Sequence, residues 1–101
     1  MKISRKKHKT LQILACSGEL TIYTVATTKN DILNNLDDAI ETVALDLRDV
    51  SKLDTAGLQL LLFAKHSMAE SNKRLYVENG NDHVDSVFKT FGVADQFILE
   101  K

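Results

Sequence analysis

The sequence predicts an α/β domain in which helices pack against a mixed, mostly parallel β-sheet. Short runs typical of strands are separated by longer stretches with helical spacing, which is the order of βαβ crossover units. Proline is absent from the 101 residues, so no predicted helix or strand is interrupted. The length suits one compact domain, and we expect residues 1–101 to form it.

Composition argues against several classes of protein. The 13 Lys and Arg residues nearly balance the 14 Asp and Glu residues, and a net charge of -1 gives no reason to expect nucleic acid or an anionic membrane as partner. The single cysteine, Cys16, excludes an internal disulfide and is expected to fill the core. No apolar run reaches the roughly 18 residues of a transmembrane helix, and no signal-peptide pattern follows the charged start. We therefore expect a cytoplasmic protein.

The N-terminal third is predicted to form a hairpin and a helix. The basic segment SRKKHK fits an edge strand, where lysines discourage sheet aggregation; a nucleic-acid or lipid-binding arm is the alternative. LQILAC, at Leu11–Cys16, has apolar residues on both faces and predicts the strand paired antiparallel with that edge. A turn at Gly18 follows, and Thr21 is placed to cap a helix. The apolar positions of that helix are Ile22, Val25, Ala26, Ile32, Leu33 and Leu36.

Two further strands and a last helix follow. VALDL at Val43–Leu47 and RLYVEN at Arg74–Asn79 have the alternation and composition of strands. Asn81 or Asp82 is placed to cap the last helix at its start, and Gly92 at its end. Apolar residues recur in it at i, i+3, i+4 and i+7, namely Val84, Val87, Phe88 and Phe91.

A leucine-rich helix lies between these two strands. It is predicted to begin after Asp54 and to end near Ser71, with a stripe towards the sheet made of Gly57, Leu61, Ala64 and Met68, flanked by Leu58 and Leu60. The opposite face carries Gln59, His66 and Glu70. Leu62 and Phe63 also fall on that polar face. Either a loop or the C-terminal FILEK covers them, or they form a partner-binding patch, and both interpretations stay open.

Thr55 is predicted to occupy the first helical position, because Asp54 before it is the better N-cap. Its hydroxyl should point outward, while the small Ala56 and Gly57 let the turn pack closely on the sheet. A phosphate here would meet helix N–H groups and the positive end of the helix dipole, so the fold would tolerate it. These residues alone leave a structural and a regulatory role open, and threonine at a helix start is more often structural.

The chain resembles the STAS domain of bacterial anti-sigma-factor antagonists and of the cytoplasmic tails of sulphate transporters. The resemblance lies in the strand ending LDL, the turn DTAGL, the leucine-rich helix and the strand RLYV, all within Ala44–Val77. GELTIYTV upstream and VDSVFKTFGVADQF downstream extend it over nearly the whole chain. A single STAS-like domain is therefore expected.

In the antagonists that this chain resembles, the Ser or Thr after the Asp is phosphorylated by an anti-sigma-type kinase, and only the unphosphorylated form binds that partner. The resemblance implies that Thr55 is the phosphoacceptor and that its partner is an anti-sigma-factor or serine-kinase-type protein with an ATPase-like fold. A phosphatase is a second candidate partner. The partner-binding residues implied are Asp54, Ala56, Gly57, Gln59, Leu62, Phe63, Glu19, Thr21 and Tyr23. Among these, Asp54 would shape the turn and Gly57 would permit close approach of the partner.

Two further resemblances bear on the partner. Thr21 stands where sporulation-type antagonists commonly carry an acidic residue, and GELTIYT with DTAGLQLLL is more similar to small STAS proteins of bacterial chemotaxis and signalling systems. The soluble STAS subunit of phospholipid-trafficking ABC transporters also carries a D-T-x-G-L turn. There the domain regulates a nucleotide-binding ATPase and needs no phosphate, which is the alternative function for this chain.

Catalysis is not expected. His8, His66 and His83 fall on different elements, and the sequence has no metal-ligand spacing, glycine-rich phosphate loop or nucleophile elbow. A set of Ser67, His66 and Asp54 fails because Ser67 and His66 are neighbours on a helix, so their side chains diverge. We expect a binding protein that uses no metal and no cofactor.

Overall fold

Within the part of the chain that the structure describes, residues 1–34 and 36–97, four strands form one sheet. In this computed structural model the strands are β1 (Lys2–His8), β2 (Leu11–Leu20), β3 (Thr42–Leu53) and β4 (Arg74–Asn79), in the spatial order β1-β2-β3-β4. β1 pairs antiparallel with β2, whereas β2 with β3 and β3 with β4 are parallel. The predicted mixed, mostly parallel sheet with an antiparallel N-terminal edge is confirmed.

The helices connect the parallel strands and follow the last of them. They are α1 (Val25–Leu33), α2 (Thr55–Glu70) and α3 (Asp82–Thr90), with a short 3-10 helix at Ala94–Phe97. α1 and α2 are successive crossovers in the same direction across the sheet, so right-handed connections place them on one face, where they contact each other. None of the described helices is long and apolar enough to cross a membrane.

The core lies between this sheet face and the helices. The register places Leu14 beside Leu45 and Val43 beside Leu75, and all four side chains are buried. From α2 the core receives the predicted stripe and its flanks, which are Gly57, Leu58, Leu60, Leu61, Ala64 and Met68. Cys16 is also buried, and its burial raises the pKa of the thiol to about 12. The predicted core role of the cysteine is therefore confirmed.

The structure corrects the predicted start of α1. Thr21 is not its N-cap, because the helix begins only after Thr24 and Thr21 itself is buried. Ile22 was predicted on the apolar helix face, yet it lies in the preceding turn with its side chain exposed. Residues 21–24 form a turn in which the Thr24 and Val25 N–H groups donate to the Thr21 carbonyl, while the Ile22 N–H donates to the Asp54 carboxylate, 32 residues away.

β2 and β3 are longer than predicted at their carboxyl ends, whereas β4 has the predicted bounds. Gly18 is not a turn after β2 but lies within it, with a φ of 101° beside a register shift against β3. β3 continues to Leu53, directly before α2. The ends of β2 and β3 therefore bring residues 21–24 and the start of α2 to the same edge of the sheet.

α3 has the predicted caps but a shorter apolar stripe. The Asn81 side chain accepts from the Val84 N–H, and Gly92, with a φ of 66°, follows the helix end. Val84 and Phe88 are buried as predicted, whereas Phe91 is exposed because the helix ends one residue before it. A residue of the 3-10 helix, Phe97, stacks on Phe88 with ring centroids 5.0 Å apart.

Candidate functional site

Asp54 joins the two chain segments at this edge of the sheet. Its backbone is extended, and its Oδ1 atom accepts from the Gly57 N–H at 2.9 Å, which confirms the predicted N-cap. The other oxygen, Oδ2, accepts from the Ile22 N–H at 3.0 Å. The bonds from Gly57 and then from Ile22 hold the pKa of the Asp54 carboxyl below its usual value, because they favour the ionised form.

Thr55 is exposed at the first position of α2, as predicted. The first turn of α2 contains no acidic residue, and the carboxylate next to Thr55 in the sequence is that of the N-cap, Asp54. A negative group on Thr55 would lie at the positive end of the helix dipole. The hydroxyl is thus accessible, and the helix start can accommodate an anion there.

Gly57 faces the protein interior. A Cβ at this position would lie 2.2 Å from the Leu20 carbonyl oxygen and 2.9 Å from Leu53 Cδ1. Glycine therefore lets the first turn of α2 lie directly against the ends of β2 and β3, which confirms the predicted close packing on the sheet. Gly57 is itself buried, and its packing against the sheet sets the position of Thr55 at the helix start.

The predicted loop residues lie at the same edge but differ in exposure. Tyr23 is 92% exposed and Glu19 is also exposed, whereas Thr21 is 2% exposed. Ile22, which the sequence analysis assigned to a helix face, is 61% exposed. The sequence offered one signal, the Ile22–Tyr23 pair after a strand, but the helical spacing of Ile22 with later apolar residues concealed it.

A shallow groove between α1 and α2 continues this surface. Its lining residues are Val25, Ala26 and Lys29 of α1 and Ala56, Gln59, Leu60 and Phe63 of α2. The four lining residues of α2 lie on one face of the helix, and the first of them, Ala56, directly follows Thr55, so the groove begins beside Thr55. The Lys29 Nζ atom lies 4.5 Å from the centroid of the Phe63 ring, which is 44% exposed.

The structure separates the two apolar residues predicted on the polar face of α2. Phe63 lies in the groove together with the predicted Ala56 and Gln59, whereas Leu62 is half-buried and packs against the core. The segment FILEK was one of the two predicted covers of Leu62 and Phe63, and its first residue, Phe97, is buried. Residues 98–101 lie outside the described residues.

Comparison with known proteins assigns this chain to a family. The family model described as "Mlab, STAS domain" matches residues 3–100. The chain belongs to the STAS domain family. Among curated proteins, this STAS domain is 27% identical over 78 residues to the anti-sigma-B factor antagonist of Staphylococcus aureus strain NCTC 8325, covering 77% of this chain and 72% of the relative.

Solved structures support the same fold. An anti-sigma factor antagonist from Mycobacterium paratuberculosis matches with a TM-score of 0.82 at 18% identity, over 95% of this STAS domain and 81% of that chain. The antagonist SpoIIAA in its unphosphorylated form gives a TM-score of 0.71 at 18% identity, over 99% and 88% of the two chains. The predicted resemblance to anti-sigma-factor antagonists is confirmed, while the resemblance to chemotaxis-associated STAS proteins stays a prediction.

Two histidines of this STAS domain, His66 and His83, have separate partners. His66 Nε2 lies 3.1 Å from Glu70 Oε1 one turn later on α2, and both side chains are exposed. His83 Nε2 accepts from the Leu53 N–H at 3.1 Å and so ties α3 to the end of β3. In residues 1–34 and 36–97, no three His, Cys, Asp or Glu side chains are grouped to hold a metal ion.

Proposed function

We propose that this STAS domain is a cytoplasmic protein-binding switch of the anti-sigma-factor-antagonist type. It docks on an anti-sigma-factor or serine-kinase-type partner when Thr55 is unphosphorylated. The observation that carries the proposal is the exposed Thr55 at the start of α2, between exposed apolar loop residues and the groove. The similarity to anti-sigma-B factor antagonists supports it, and the similar SpoIIAA has been solved in unphosphorylated and phosphorylated forms.

The docking surface consists of Ile22, Tyr23, Thr55 and the groove between α1 and α2. Its apolar side chains can supply affinity, because exposed aromatic and aliphatic groups that become desolvated dominate the energetics of interfaces. Lys29 adds one positive charge beside Phe63, which favours an acidic residue on the facing partner surface. The surface is thus apolar at its centre and charged at one side.

Phosphorylation of Thr55 would weaken docking by charge and desolvation. The phosphate adds a charge of about -1.5 to -2 at pH 7 within the apolar part of the surface and next to the ionised Asp54. A loss of about 1.4 kcal/mol is a tenfold loss of affinity, and burying an imperfectly paired phosphate exceeds that. The fold itself needs no rearrangement, since the helix start accommodates the anion.

Three variants test this proposal in a pull-down from the native cytoplasm with mass spectrometry. Thr55→Glu places charge at the site, Thr55→Ala removes the hydroxyl and the γ-methyl group without adding charge, and Thr10→Glu is the matched control. Thr10 is exposed in the turn before β2, at the end of that strand opposite the docking surface. We expect wild type, Thr55→Ala and Thr10→Glu to capture a kinase-like protein, and Thr55→Glu to retain less than a tenth of it.

Equal capture by Thr55→Ala and Thr55→Glu would show that the electrostatic switch is wrong. Capture of a transporter ATPase by wild type would instead support the alternative, a STAS subunit of a phospholipid-trafficking ABC transporter. A phosphorylated peptide containing Thr55, isolated from the cell, would identify the phosphoacceptor directly.

A further inference from the structure

The carboxylate of Asp54 bonds two chain segments at once. One oxygen caps α2 through the Gly57 N–H, as an N-cap does in many helices. The second oxygen accepts from the Ile22 N–H, 32 residues away in the sequence, at 3.0 Å. Beside it, the backbone of the same residue also bonds to this segment, because the Asp54 N–H donates to the Leu20 carbonyl at 3.3 Å. Helix capping accounts for the first bond only.

The other backbone bonds of the loop are local. The Thr24 hydroxyl accepts from the Thr21 N–H at 3.0 Å and donates to the Glu19 carbonyl at 2.9 Å. The Thr21 hydroxyl accepts from the Tyr23 N–H at 3.3 Å. These bonds define the shape of the turn but do not connect it to α2. The hydrogen bond that joins Ile22 directly to the residue before α2 is therefore the one to Asp54.

We propose that Asp54 is a positioning residue that clamps the Ile22–Tyr23 loop to the start of α2, so that loop and helix reach the partner as one preorganised surface. Preorganisation matters because a partner that binds a loose loop must order it, which weakens affinity. The proposal rests on the proposed function, since the surface that the clamp orients is the docking surface. Asp54 itself acts through Ile22 and needs no contact with the partner.

The clamp requires two acceptor oxygens, and this separates it from capping. Serine offers one hydroxyl oxygen and asparagine one carbonyl oxygen, and both are N-caps about as good as aspartate. Asp54→Ser and Asp54→Asn should therefore keep the bond to Gly57 while leaving the Ile22 N–H without its acceptor. Asp82→Ser is the matched control, because it removes the same carboxylate from an exposed residue at the start of another helix, α3.

Amide hydrogen exchange measured by NMR on the isolated protein tests the clamp. In Asp54→Ser and Asp54→Asn we expect the Ile22 amide to exchange roughly tenfold faster, which is the effect of losing a hydrogen bond to a charged acceptor. The Gly57 amide should keep its protection, which shows that α2 remains capped. Asp82→Ser should leave both amides as in wild type. An unchanged Ile22 amide would overturn the clamp, whether or not a partner has been found.

Partner capture, quantified as in the pull-down above, tests the positioning role. We expect the two cap-preserving variants to retain less than about a fifth of the partner, with Thr55 unmodified. Faster exchange at Ile22 with full capture would overturn the positioning role and leave the proposed function intact. Failure of wild type to capture any kinase-type partner would instead overturn the proposed function, and the exchange measurement would still decide the clamp.

Discussion

Gly57→Ala should destabilise the domain although alanine is the better helix former. In an exposed helix interior this change gains about 1 kcal/mol. Here the new methyl group would lie 2.2 Å from the Leu20 carbonyl oxygen, whereas such contacts essentially never fall below 3.0 Å, so backbone must move by about 0.8 Å. A rotamer change cannot relieve the contact, because the obstructing atom belongs to the end of β2.

Overpacking a core typically costs 1–3 kcal/mol, and a contact with backbone belongs at the upper end of that range or beyond it. After the gain in helix propensity, we expect a net loss of about 2 kcal/mol, which lowers the thermal midpoint by roughly 10 °C. The assay is thermal and urea denaturation followed by circular dichroism. Because Leu20 precedes the loop of the docking surface, partner capture should also fall.

Gly80→Ala is the matched control for this prediction. A Cβ there would lie 2.5 Å from Asp85 Oδ1, which is also below the 3.0 Å limit. The obstructing atom is the end of a flexible side chain, which can rotate away. We expect a change within about 0.5 kcal/mol, as for most surface substitutions. If Gly57→Ala were as stable as wild type or more stable, the close approach of α2 to the sheet would be refuted.

Two further predictions concern the elements that support the site. The Asn81 Nδ2 group donates to three backbone carbonyls at 2.9–3.3 Å, those of Leu47, Arg48 and Val50. Asn81→Ser keeps the N-cap but loses these bonds and should lower the unfolding free energy by about 1–3 kcal/mol, and Asn81→Ala, which also loses the cap, by about 1 kcal/mol more. Equal urea midpoints for wild type and the two variants would contradict this prediction. Cys16, with its thiol pKa raised to about 12 by burial, should react with a thiol reagent at pH 8 only in denaturant, and rapid reaction in the native protein would contradict its burial.

Helix boundaries and buried helix positions were predicted well, because the signals for them lie within a few residues in the sequence. Asp54 before Thr55 specified the start of α2, since a short acidic side chain before a helical run can satisfy the first N–H groups. The apolar spacing of α2 identified its six buried residues, because a helix repeats every 3.6 residues whatever its partner is. Asn81 and Gly92 marked the ends of α3 for the same kind of reason.

The candidate site was only partly accessible to such reasoning. Thr55, Tyr23 and Phe63 were named and are exposed at one edge or in the adjoining groove. Ile22 was assigned to a helix, because its spacing to later apolar residues is helical and nothing nearby contradicts that pattern. The exposed face of Phe63 depends on how α1 approaches α2, which is a property of the crossover connections and not of either helix alone.

Local signals were enough to predict the fold class, the capped start of α2 and the position of Thr55 on it, because capping chemistry and hydrophobic periodicity act over a few residues. The family was predicted from the resemblance of its motifs to STAS domains. Contacts between distant segments, by contrast, are what place Gly57 against the end of β2, bury Thr21 and leave Ile22 exposed. All three features lie where the parallel strands bring their carboxyl ends to one edge, so that residues 32 positions apart, such as Ile22 and Asp54, come into contact.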